Sequence, residues 1–163
     1  MAFTLPFSRI HKYSGSAVDL VMEQAIPFFG KSDDVRSLNF DIYLHDTGIR
    51  AGLCDLRLGM NEELYYAGNI GYRIFPGERG HGYAYEACRI LFDVARSRGM
   101  TELIITCSPD NIPSRRTLEK LGGTLLETAN VPEDHWLYQR GEKAKNIYRY
   151  DLLAPDSPSA ETF

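Results

Sequence analysis

The residues of this 163-residue chain best suited to chemistry stand together at Pro76-Gly77-Glu78-Arg79-Gly80-His81-Gly82-Tyr83-Ala84. Glycine has no side chain to hold a ligand away, and it lets successive backbone N–H groups turn into one space. A helix beginning directly after the loop adds about half a positive unit charge at its first turn. The combination is an anion site that favours phosphate. Arg79 supplies a fixed cation, while Gly80 and Gly82 leave room for a diphosphate. Two other phosphate loops are excluded. No Gly-x-x-x-x-Gly-Lys-Ser/Thr occurs, and Tyr85 stands where a dinucleotide fingerprint needs its third glycine.

Such a loop needs a strand before it and a helix after it, and the sequence supplies both. Residues 65–75 read as a strand. Beyond the loop, Ala84, Ala87, Cys88, Leu91, Phe92 and Ala95 recur at helical spacing, with Glu86, Arg89, Asp93 and Arg96 on the wet side. Gly99 is placed to end that helix. Upstream, residues 3–13 predict a short strand interrupted by Pro6. Residues 16–29 place Val18, Val21, Met22, Ala25 and Ile26 at helical spacing and predict a helix ending near Pro27. Leu38, Phe40, Ile42 and Leu44 alternate with polar residues, which predicts a half-buried strand over 37–45. Asp46-Thr47-Gly48 is a hairpin turn, residues 49–58 return as a strand, and Asn61-Glu62-Glu63 forms another turn. Leu103-Ile104-Ile105-Thr106-Cys107 predicts a strand covered on both faces. Asp110 or Asn111 caps a second helix, with Pro113 in its first turn and Gly122-Gly123 at its end. Residues 124–128 and 146–153 predict two more strands, separated by a polar excursion over 129–145. The whole is one α/β domain over 1–153 with a mixed sheet. Residues 154–163 form a loose tail.

A second stretch, Asp110-Asn111-Ile112-Pro113-Ser114-Arg115-Arg116-Thr117-Leu118-Glu119-Lys120-Leu121-Gly122, bears on the first. Arg79-Gly80-His81-Gly82-Tyr83-Ala84 resembles the acetyl-CoA signature of the GNAT superfamily, Gln/Arg-x-x-Gly-x-Gly/Ala. The second stretch resembles that superfamily's next segment, Asn-x-x-Ser followed by Glu-Lys-x-Gly. Order and spacing both match, over residues 65–128. The likeness is to the branch holding the ribosomal-protein and other small N-acetyltransferases. It implies a GNAT fold: a mostly antiparallel sheet of six to seven strands flanked by helices. It also implies that the strand ending at Phe75 and the strand at 103–107 splay apart around acetyl-CoA. The pantetheine arm would pair with the backbone of Tyr72, Arg73, Ile74 and Phe75. The diphosphate would rest on the N–H groups of Arg79, Gly80, His81, Gly82, Tyr83 and Ala84. Asn111 would bond the arm with Ser114 nearby, and Arg115, Arg116 or Lys120 would reach the outer phosphate.

The implied reaction is direct attack of a neutral primary amine, of a small molecule or a protein N-terminus, on the thioester. Relatives carry a tyrosine in the second helix that protonates the departing thiolate, and the matching position here is Glu119. The other candidates for proton transfer are His135, Tyr138, Tyr148, His45, Asp55 and Tyr150. His135 and Tyr138 lie in the polar excursion, which could lie over the amine. Cys107 sits in an apolar strand with no base spaced near it and is set aside as a nucleophile. The alternative function is an acyl-CoA sensor of the same fold without turnover.

Bulk properties fit this reading. Net charge is −4, which argues against nucleic acid as the main partner. The three cysteines make neither a disulfide framework nor a zinc motif, so no metal is expected. No apolar run is long enough to span a bilayer and no basic leader precedes one, so a cytoplasmic location without membrane contact is expected. A homodimer is compatible with this fold class. The loops around 27–36 and 129–145 are expected to choose the amine.

Overall fold

The computed structural model describes residues 11–27 and 35–154. Five strands form an antiparallel meander in chain order: β1 (Lys12–Ser14), β2 (Val18–Pro27), β3 (Arg36–Leu44), β4 (Arg50–Leu58) and β5 (Ile70–Ile74). A second antiparallel sheet has the order β6 (Glu102–Cys107), β8 (Ala144–Asp151), β7 (Thr124–Asn130). Helices α1 (Glu62–Ala67), α2 (Tyr83–Ser97), α3 (Ile112–Lys120) and α4 (Trp136–Gln139) fill the connections. This is the expected α/β class. The described strands number eight and divide into two sheets.

The alternation in β3 does what its pattern demands. Leu38, Phe40 and Ile42 enter the core, joined there by Leu56 of β4 and by Leu91 of α2. The covered run of β6 sends Leu103 and Ile105 into the same core with Tyr148 and Tyr150 of β8. Gly99, at φ 81°, closes α2 as expected.

Three expectations are corrected. The helix expected over 16–29 does not form over its described part: residues 18–27 form β2, paired along β3, and residues 28 and 29 lie outside the described residues. Val18 and Leu20 are fully buried, a period of two, but a bulge between Met22 and Gln24 shifts the register. One extra residue in a strand breaks its period of two, so the alternation that marks a strand is lost from the sequence. Asn61-Glu62-Glu63 is not a bare turn. The Asn61 side chain accepts from Leu64 N at 2.8 Å and starts α1. Helix α1 takes the first half of the strand expected over 65–75, so β5 begins only at Ile70. The excursion over 129–145 holds the short helix α4. Of the strand expected over 3–13, residues 3–10 lie outside the described residues, as do 28–34 of the loop at 27–36 and 155–163 of the tail.

Candidate active site

The site begins where the two sheets meet. Asn69, immediately before β5, donates its backbone N–H to Ile104 O at 2.6 Å. Beyond that point β5 and β6 belong to separate sheets with no ladder between them. The β4–β5 register shows what the free edge offers. Arg57 N donates to Asn69 O at 2.7 Å and Phe75 N to Ala51 O at 2.8 Å, so alternate residues between them, Gly71 and Arg73, face β4. Antiparallel pairing alternates, which turns the peptide groups of Tyr72 and Ile74 to the opposite edge. Part of that edge is already engaged: Arg79 Nε donates to Ile74 O at 3.0 Å.

The turn after β5 is open. A single 3-10 turn, Pro76–Glu78, leads to Gly80 at φ 87° and Gly82 at φ 76°. Gly82 is the N-cap of α2 and no side chain caps it. A Cβ added at Gly80 or Gly82 would meet nothing within 4 Å. The first N–H groups of a helix have no partner within it. They therefore point into open space here, beside exposed Arg79. His81 stacks on Tyr83, with ring centres 5.2 Å apart, and its Nδ1 lies 3.2 Å from Glu78 O. Glu86 turns away from this end and accepts from Ala17 N at 2.8 Å, tying α2 to the start of β2.

Helix α3 completes the walls. Asn111 is exposed and accepts from Ser114 N at 3.2 Å, so its side chain serves as a helix cap. The Ser114 hydroxyl lies 2.6 Å from the Tyr72 hydroxyl. Burial holds the Tyr72 phenol up at about 12, with the bond to Ser114 pulling the other way. Lys120 holds its Nζ 4.3 Å from the centre of the Tyr85 ring, which brings α3's last turn beside α2's first. Arg115 bonds Pro109 O at 3.3 Å and lies 4.0 Å from Glu119.

The candidates for proton transfer scatter. Glu119 is exposed on α3 beside Arg115. His135 is buried, and both ring nitrogens are engaged: Nδ1 accepts from Leu137 N at 3.1 Å and Nε2 lies 3.0 Å from Glu63 O. It pins the α4 loop to α1. Tyr138 packs its ring under Lys143. Tyr148 is 3% exposed and packs within the core. The Tyr150 hydroxyl donates to Leu118 O at 2.6 Å, and burial raises its pKa further than that of Tyr72. Asp55 pairs with Arg57 Nε at 2.7 Å, and burial lifts its pKa against that ion pair. His45 lies in the turn between β3 and β4, with Nδ1 2.8 Å from buried Asp19 and Nε2 3.0 Å from Asp46. Asp19, His45 and Asp46 lie close enough together to hold an ion, but both His45 nitrogens face carboxylates and Lys12 Nζ lies 3.5 Å from Asp19. An ion-pair cluster describes the group. Cys107 is buried, and burial raises its pKa against the pull of Lys145 and Arg115, so the thiol stays protonated.

Two residues escaped the sequence reading. Asn69 carried only the signal of a polar residue between a glycine and a strand. Tyr85 was read only as the residue that spoils a dinucleotide fingerprint, yet it carries Lys120.

The family model for the acetyltransferase (GNAT) domain matches residues 7–124. The chain belongs to the GNAT acetyltransferase family. The uncharacterized N-acetyltransferase YnaD of Bacillus subtilis is 28% identical over 116 residues, 71% of this chain and 66% of that protein. This chain thus spans just under two thirds of that relative. The GNAT acetyltransferase of Bacillus anthracis shares the fold at TM-score 0.56 and 24% identity, covering 70% of this chain and 66% of that one. The ribosomal L7/L12 N-acetyltransferase RimL, in its apo form, shares it at TM-score 0.60 and 14% identity, covering 87% and 94%. No helix among the described residues of this GNAT protein is long and apolar enough to cross a membrane.

Proposed function

We propose that this GNAT domain transfers an acetyl group from acetyl-CoA to a primary amine of a small molecule or protein N-terminus, by direct attack in a ternary complex. The observation that carries the reading is one juxtaposition. The edge of β5 turned away from β4, at Tyr72 and Ile74, runs into the open glycine turn at the start of α2. An extended arm with amide groups suits the first, and a diphosphate suits the second. Among proteins of this fold, the yncA structure from Salmonella typhimurium holds acetyl-CoA, at TM-score 0.55 and 17% identity.

On this reading the N–H groups of residues 79–84 receive the diphosphate, with Arg79 and Lys120 adding charge from either side. The peptide groups of Tyr72 and Ile74 align the arm. Arg79 then exchanges its bond to Ile74 O for one to phosphate, freeing that carbonyl. The Tyr72 phenol, un-ionised at neutral pH, donates a hydrogen bond to the departing thiolate and is itself positioned by Ser114. Cys107 forms no acyl-enzyme, because its thiol is protonated. The acceptor amine arrives neutral, and the proton it loses after attack is taken up by the departing CoA thiolate, which leaves as the thiol.

Calorimetry with acetyl-CoA, followed by turnover over a panel of amines, tests the reading. Binding with turnover on at least one amine supports it. Binding with turnover on none favours the sensor alternative, and no binding sinks both.

A further inference from the structure

Asn69 holds five hydrogen bonds while 2% exposed. Its backbone N–H reaches Ile104 O at 2.6 Å, and its backbone carbonyl accepts from Arg57 N at 2.7 Å. Its side-chain amide repeats the pattern: Oδ1 accepts from Ile104 N at 2.8 Å, and Nδ2 donates to Arg57 O at 3.0 Å and Gly59 O at 2.6 Å. One residue therefore satisfies both main-chain groups of Ile104 on β6 and both of Arg57 on β4. Gly68, just before it, lies against β6 so closely that an added Cβ would sit 3.2 Å from both Ile104 O and Thr106 N. Beyond this point no ladder joins the two sheets.

We infer that Asn69 is a positioning residue that sets the width and angle of the β5–β6 cleft, and hence its fit to the pantetheine arm of an acyl-CoA. The physical reason lies in the alternatives open to two neighbouring strand edges. Free edges close on each other when nothing fixes them, because unpaired N–H and C=O groups seek partners. A residue whose backbone and side-chain amide together take both groups of Ile104 and both of Arg57 removes the first rungs of any such closure. The pairing stops where the amide ends, so the strands diverge from a fixed vertex. A cleft held open in advance binds its arm without the cost of prising the strands apart.

This inference rests on the acetyl-CoA reading above, and the test separates the two. Wild type, Asn69→Asp, Gly68→Ala and Asn61→Ala are titrated calorimetrically with CoA and with 3′-phospho-ADP, the same nucleotide lacking the arm. Asn69→Asp keeps the shape but loses both Nδ2 bonds and sets a carboxylate against two carbonyls. Gly68→Ala wedges β6 from the other side. Asn61→Ala removes the cap of α1 and controls for loss of stability. Both vertex variants are expected to bind CoA at least about tenfold more weakly, with 3′-phospho-ADP held within about twofold. Asn61→Ala is expected to leave the ratio of the two affinities unchanged. A wild type that binds neither ligand overturns the acetyl-CoA reading. A wild type that binds CoA, with folded vertex variants whose two affinities move together or not at all, overturns the role of Asn69. Should one vertex variant fail to fold, the other decides. If circular dichroism shows both unfolded at 10 °C, Asn69 is a folding element and the inference also falls.

Discussion

The Tyr72 hydroxyl lies 2.6 Å from the Ser114 hydroxyl and ties β5 to the first turn of α3. Sequence reasoning placed Tyr72 in the site only for its backbone. The side chain reaches the helix in which relatives keep a tyrosine, coming from the strand instead. With burial holding the phenol at about 12, it remains a donor throughout the physiological range. Tyr72→Phe is expected to lower kcat about tenfold, with a smaller change in KM for acetyl-CoA. Steady-state kinetics decide it, and an unchanged kcat would assign the pair to structure alone.

Gly82→Asp tests the phosphate site proposed at the glycine turn. The substitution meets no neighbour, and φ 76° costs an aspartate only about 1 kcal/mol. The variant should fold, while its negative charge at the α2 N-terminus weakens CoA binding at least about tenfold. Unchanged affinity in the folded variant would remove the diphosphate from this turn.

Glu119→Gln is expected to leave kcat within about twofold, since the side chain is exposed and faces Arg115 at 4.0 Å rather than the cleft between β5 and β6. A large loss of kcat with intact CoA binding would return Glu119 to the chemistry.

The turn between β3 and β4 makes a pH-dependent contact with β2. The hydrogen bond to Asp19 raises His45 above its ordinary value, with Asp46 adding to this and burial and Lys12 opposing. Burial pushes Asp19 up, yet the bonds from His45, Ser14 and the Asp46 N–H outweigh it and leave Asp19 lowered. The sign follows by linkage. The His45 contribution is full below its unfolded pKa, about 6.5, and is lost as pH rises through the raised value. The Asp19 contribution is present above about 3.9 and is lost as pH falls through its lowered value. Thermal melts should therefore show Tm falling between pH 6 and 9 more steeply in wild type than in His45→Gln. Equal slopes would show that the contact does not couple to folding.

Tyr150→Phe should cost about 1–2 kcal/mol, because it leaves the buried Leu118 carbonyl with only a long bond from Gly123 N, while CoA affinity stays unchanged. Denaturant melts and calorimetry check the two halves. A loss of affinity as large as the loss of stability would place Tyr150 in the cleft.

The glycine turn and both helices around it were legible because their signals are local. Gly80 and Gly82 announce positive φ by their type, and the apolar period of α2 needs no partner to be read. The strand β2 was not legible, because the bulge near Glu23 disguised its period, and only pairing with β3 reveals the register. Helix α1 was hidden inside an apparent strand. Tyr65 and Tyr66 favour strands by type, but Asn61 caps the segment and residues on β6 and β8 cover it.

By itself the sequence determined the family, the fold class and the glycine-rich turn, since each depends on residue types at fixed short spacing. Only the tertiary structure decided which side chains enter the cleft, which candidates for proton transfer are spent on packing and how the sheets are held apart. His135 and Tyr150 serve backbone carbonyls, and Asn69 joins β4 to Ile104 of β6, 35 residues further along the chain than Asn69 itself. The partners of a side chain far along the chain follow from packing, which no local pattern encodes.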